Sequence, residues 1–212
     1  MARQSQVVYK FIGGNLALDF ANTVHNAGLP KPLDELQSTD DLLNWAQGAK
    51  LLDAHDSAQL ARRFQLNRPY AGSTLARTLR LRNVIYRLFS SLAQTGRIDE
   101  KALAQFNGWL RAAMSHVRIS DGGAARHPKG SGLAFEWEES SSTVSDRMLW
   151  EITRSAADLL VSAELKKVRQ CNDDFCSWLF VDTSRNGLRR WCSMQLCGNR
   201  ARVRDYRSRQ SA

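Results

Sequence analysis

The chain has 212 residues, 43% of them hydrophobic, and a formal charge of +9. That length and apolar share suit one packed domain of moderate size with a small appendage. No stretch approaches a bilayer span, and the apolar run at 11–24 contains Asp19 and lacks the basic start and small-residue cleavage site of a secretory leader, so a cytoplasmic location is expected.

In chain order, residues 7–12 read as a short strand stopped by Gly13 and Gly14. Residues 16–24 are mostly apolar, and helical spacing puts Asp19 and Asn22 on one face with His25 nearby. Polar groups in an apolar segment need partners. Either the three form a small ligand pocket, or Asp19 and Asn22 bond backbone and fix the N-terminal segment; the second is the plainer reading. Pro30 and Pro32 mark a loop, and Ser38 with Asp41 reads as a capping box ahead of a helix carrying Leu42, Trp45, Ala46, Ala49 and Leu52. Asp53–Asp56 breaks it, and Ala58, Leu60, Ala61 and Phe64 form a second helix. The pair is an ordinary helical hairpin and not a DNA-reading helix-turn-helix, because the second helix has no distinct polar reading face.

Pro69 and Gly72 separate the next element, with Ser73 as N-cap of a long helix to about Ala93, around which Arg77, Arg80, Arg82 and Arg87 are scattered as solvated residues. Gly96 stops this helix and Asp99 starts another, which runs to about His116. Residues 117–120 and 133–139 alternate and pair as a β-hairpin around a glycine-rich loop. A helix from about Ser145 to Leu165 hands the chain to its last quarter.

That quarter holds the chemistry. From Lys166 onward there are eleven basic and four acidic residues, a net of +7 that leaves only +2 for the first 165. All four cysteines lie here as Cys171 and Cys176, then Cys192 and Cys197, with four residues inside each pair and fifteen between pairs. Four thiolates close a tetrahedral shell around one zinc ion and leave no open position for water, so the metal is structural. Two disulfides are the alternative, disfavoured by spacing and by a reducing compartment. Residues 178–183 read as a strand, Arg185 to Gly187 as a turn, Leu188 to Cys192 as a return strand, and Ser193 onward as a helix. Knuckle, hairpin and helix in that order are treble-clef-like. Leu196, Val203 and Tyr206 share one side of the helix. Arginine presents a planar donor fork suited to phosphate and to guanine edges, so Arg189, Arg190, Arg200, Arg204 and Arg207 are the candidate nucleic-acid contacts. Trp178 and Trp191 either stack on bases or form the knuckle's core, and burial statistics for large aromatics favour the core.

Cys197-Gly198-Asn199-Arg200, with the preceding 180–186 and 190–194, resembles the CGNR zinc-finger proteins over about 168–209. Gly14-Asn15, Asp19, Asn22 and Val24 resemble the opening of the ABATE domain that such proteins carry at their N-terminus. The resemblance implies a bacterial, stress-linked transcription regulator with Cys171, Cys176, Cys192 and Cys197 as zinc ligands.

The expected architecture is mainly α with a small β-hairpin, organised as a helical domain at 1–165 and a zinc finger with an arginine-rich helix at 166–212. The expected function is nucleic-acid binding, DNA in the first place, with no membrane partner. The helical domain would sense a small ligand or support a homodimer. The rival is a zinc-stabilised protein-interaction module. An enzyme is disfavoured: there is no phosphate-binding glycine loop and no Gly-x-Ser-x-Gly, and His25, His55, His116 and His127 are scattered.

Overall fold

The computed structural model describes residues 9–25, 32–121, 133–138 and 144–210. Its elements are α1 (Leu16–Ala21), β1 (Val24–His25), β2 (Leu33–Asp34), α2 (Thr39–Gly48), α3 (Ala54–Leu66), α4 (Arg68–Thr95), α5 (Glu100–Met114), β3 (Val117–Ser120), β4 (Ala134–Trp137), α6 (Val144–Val161), β5 (Val168–Gln170), β6 (Leu179–Val181) and α7 (Asn199–Gln210). The described strands pair as three antiparallel two-stranded sheets, β1–β2, β3–β4 and β5–β6. The fold is therefore mainly helical, as the periodicity indicates. No described helix is long and apolar enough to cross a membrane.

Local chemistry sets the helix ends. Ser38 accepts the Asp41 N–H at 3.1 Å while the Asp41 carboxylate accepts the Ser38 N–H at 2.8 Å, a reciprocal capping box. Asp53 and Asp99 cap α3 and α5, and Gly96 ends α4 at φ +67°, a conformation glycine adopts without penalty. The long helix starts earlier than its sequence indicates. Asn67 caps it and Pro69 sits in its first turn, where a missing N–H costs nothing. Gly72 faces open space inside it.

The core gathers α1, α2, α4, α5 and α6 around Leu18, Phe20, Trp45, Leu81, Ile85, Phe89, Phe106, Met148 and Ile152. Val168, Leu179 and Val181 belong to this same core, so β5 and β6 are built into the helical body. Three of the four α4 arginines are engaged: Arg82 is buried and bidentate to Asp34 at 2.7 and 2.6 Å, Arg77 reaches Asp146 at 2.9 Å, and Arg87 reaches Asp99 at 2.7 Å, while Arg80 is exposed as expected. The β3–β4 hairpin forms with Val117 opposite Trp137 and Ser120 opposite Ala134. Its glycine-rich loop lies outside the described residues, as do Val7 and Val8 of the first expected strand. The rest of that segment forms no strand; Gly13 accepts the Val181 N–H at 2.8 Å instead.

Candidate metal centre

The metal-bearing segment differs from its sequence reading in one pairing. β6 pairs with β5, not with the return segment, in the register Val168 to Val181 and Gln170 to Leu179. The knuckle at 171–178 is the turn of this hairpin: Cys171 N–H donates to Trp178 O at 2.8 Å and Cys176 N–H to Asp173 O at 2.8 Å. Gly187 makes the expected turn at φ +64°, but the chain returning from it forms no strand. The Asp182 carboxylate takes the Arg189 N–H at 2.9 Å and the Ser184 N–H and hydroxyl, drawing the segment away from β6. Arg190 O then accepts the Asn172 N–H at 2.9 Å, which places Cys192 against the knuckle.

A π-type turn at Met194–Gly198 delivers the last cysteine into α7. Gly198 sits at a close approach and not at a positive φ: a Cβ there would meet Met194 Sδ at 2.5 Å, which the exposed, flexible Met194 can relieve by moving, and Trp191 Cδ1 at 3.2 Å.

The four cysteines are free and their Sγ atoms all lie within 4.8 Å of one another, with Cys176–Cys192 at 3.7 Å and Cys192–Cys197 at 3.5 Å. Zinc–sulfur bonds of about 2.3 Å place tetrahedral sulfurs about 3.8 Å apart, so the donor set fits one zinc ion. Hydrogen bonding among the thiols, first with Cys176 and then with Cys192, holds Cys171 far below the usual thiol range, and the same contact with Cys171 pushes Cys176 and Cys192 up. A divalent cation is what allows four thiolates to coexist. Trp178 and Phe180 are buried with Cys171, Cys192 and Cys197 in a small second core, with Trp191 packed against it. Trp178 thus serves as core, with its ring 4.6 Å from that of His25.

The candidate arginines divide. Arg200 donates from Nη2 to Cys197 Sγ at 3.0 Å and pairs through Nε with Asp173 at 3.0 Å. Arg204 reaches the same carboxylate at 3.0 Å and Asp174 at 3.5 Å. Arg189 lies 4.4 Å over Phe180 and donates to the carbonyls of Trp191 and Cys192. These three brace the finger. Arg190, its guanidinium 5.2 Å over Trp191, and Arg207 are exposed. So are Arg185, Arg202 and Arg209, which were not singled out from the sequence. Asp173, whose side chain is fully buried, was missed as well; an acid between two metal-type cysteines is the signal that points to it.

Asp19, Asn22 and His25 are not brought to one pocket. Asp19 accepts the Gly13 N–H at 2.7 Å, and burial pushes its carboxyl up to about 6 despite that bond. Asn22 bonds both backbone groups of Leu179. His25 pairs with Glu35 and lines a cavity of about 440 Å³ shared with Cys176, Cys192, Cys197 and Arg200.

No curated protein matches the chain. The zf-CGNR family model, "CGNR zinc finger", matches residues 167–210, the segment that gathers the four sulfurs. The ABATE model, "Putative stress-induced transcription regulator", matches residues 14–163, the helical body on which the finger sits. The chain belongs to the ABATE family and carries at its C-terminal end a CGNR zinc finger whose four-cysteine cluster binds one zinc ion.

Proposed function

We propose that this protein is a non-catalytic transcription regulator that binds DNA through its zinc finger. In this reading Cys171, Cys176, Cys192 and Cys197 each give one thiolate to the metal. Residues 1–165 form the regulatory body and 166–212 the DNA-binding unit. The observation that carries the reading is the arginine division on α7. Only Ala201 of that helix is buried. Arg200, itself exposed, and Arg204 anchor it through Asp173; Arg202, Arg207 and Arg209 are exposed along it, and Arg185 and Arg190 are exposed on the loop beside the second cysteine pair. Such a set matches a phosphate backbone, and Arg200 and Arg204 hold the platform in place.

The test is DNA binding across a salt series. Replacing Arg202, Arg207 and Arg209 by Ala should lower affinity and reduce the salt slope by up to about 3, one phosphate contact each. Zinc content should not change. An unchanged slope removes α7 from the interface.

A second reading has its own support. Val203 and Tyr206 of the same helix, and Leu196 in the turn that leads into it, are exposed at 49%, 59% and 36%. Exposed apolar groups on one helix face suit a protein partner. A zinc-loaded sample that shows no competable shift of DNA at physiological salt favours this module.

A further inference from the structure

We propose that Cys176 is an oxidation site for organic hydroperoxides, reached through the cavity between the helical body and the knuckle, with Cys192 as its resolving partner. The inference rests on the zinc-ligand reading and not on DNA binding. Three zinc-site cysteines, Cys176, Cys192 and Cys197, line one wall of that cavity, whose volume of about 440 Å³ takes a small organic molecule. Leu33 of β2 and His25 of β1 line it as well. Leu33 and Phe175, 59% and 58% exposed, open it to solvent. A structural zinc site is ordinarily closed off; here three of its cysteines line a cleft edged by Leu33, Phe175 and Leu196 together with Lys10 and Gln195.

Exposure selects the site. Cys176 is half-buried while the other three cysteines are buried, and Cys197 has Arg200 on its sulfur. Trp178 also lines the cavity, is buried at 4% exposure, and has an indole N–H with no acceptor. Metal-held cysteines are thiolates, the nucleophilic form.

The Cys176 thiolate attacks the terminal oxygen of R–O–OH. A sulfur–oxygen bond forms, the oxygen–oxygen bond breaks, and the alkoxide leaves and takes a proton as the alcohol. The Cys192 thiolate, 3.7 Å from Cys176, then displaces hydroxide from the sulfenic acid and closes a disulfide. Two electrons pass from the sulfurs to the peroxide. Cys176 and Cys192, joined to each other, would no longer be available to hold a metal, and the finger would lose its staple.

The experiment treats reduced, zinc-loaded full-length protein with cumene hydroperoxide or with hydrogen peroxide at equal concentration. Zinc release is followed with a chromogenic chelator, and disulfides are mapped by peptide mass. The expected result is faster release with cumene hydroperoxide, a first disulfide joining Cys176 to Cys192, and recovery on adding a dithiol and zinc. Leu33→Trp, at an exposed rim position outside the finger, should slow the cumene reaction only. A first disulfide between any other pair, no preference for the organic peroxide, or no effect of Leu33→Trp overturns the inference. Mapping on the unaltered protein decides it even if a variant misfolds. Protein that purifies reduced and without zinc would instead refute the ligand reading.

Discussion

The side-chain amide of Asn22 pairs with both backbone groups of Leu179: its Nδ2 donates to the carbonyl at 2.8 Å and its Oδ1 accepts the N–H at 2.7 Å. Asn22 follows α1 and Leu179 opens β6, so one buried amide joins the first helix to the knuckle hairpin. An amide supplies the donor and the acceptor that a free strand edge lacks, and neither Asp nor Leu does both.

Asn22→Ala should therefore leave a buried N–H and a buried C=O unpaired. The expected loss is about 3 kcal/mol in urea denaturation. Asn22→Asp keeps one bond and sets a carboxylate against the Leu179 carbonyl, so it should destabilise too, and more above the carboxyl's titration than below it.

Asp173 and Arg200 brace the metal from outside. Arg200→Ala removes the N–H donor on Cys197 and should weaken zinc binding by about tenfold or more, read by chelator competition. Asp173→Ala releases Arg200 and Arg204, which are partly exposed and can hydrate, so its cost to stability should stay near 2 kcal/mol. If Asp173→Ala leaves zinc affinity unchanged while Arg200→Ala does not, the sulfur contact matters and the ion pair does not.

Zinc removal should act unevenly. Cys171, Cys192 and Cys197 belong to the small second core, whereas Val168, Leu179 and Val181 belong to the main one. After chelation, hydrogen exchange should lose protection across 188–210 and keep it at 168–170 and 179–181. Collapse of both together would show that the metal also holds β5 and β6 to the body.

Asp19 gives a pH signature. Its folded pKa, about 6, lies above the ordinary 3.8 because burial disfavours the charge. The folded state thus holds the proton more tightly, so this contribution is present below pH 4 and lost as pH rises through 6. Asp19→Asn can still accept from Gly13 and does not titrate. It should be more stable than the parent at pH 8, by up to about 3 kcal/mol, with the difference vanishing near pH 4.

Features whose partners are close in the chain were legible from the residues alone. The capping box of Ser38 and Asp41, the Asp99 and Gly96 boundaries, and the cysteine spacing each depend on residues a few positions apart, where sterics and hydrogen bonding act locally. Only tertiary structure decided the rest. Arg82 and Arg202 look alike in the chain, yet one is buried on Asp34, 48 residues away, and the other is exposed on α7. Residues 188–192 have strand-like composition, but β6 was already paired by β5, and Asp182 drew the returning chain aside. Val203 and Tyr206 belong to the spacing of a buried stripe and face solvent, because α7 meets the finger through Ala201. Periodicity records which residues share a face; the path of the remaining chain decides what, if anything, covers it.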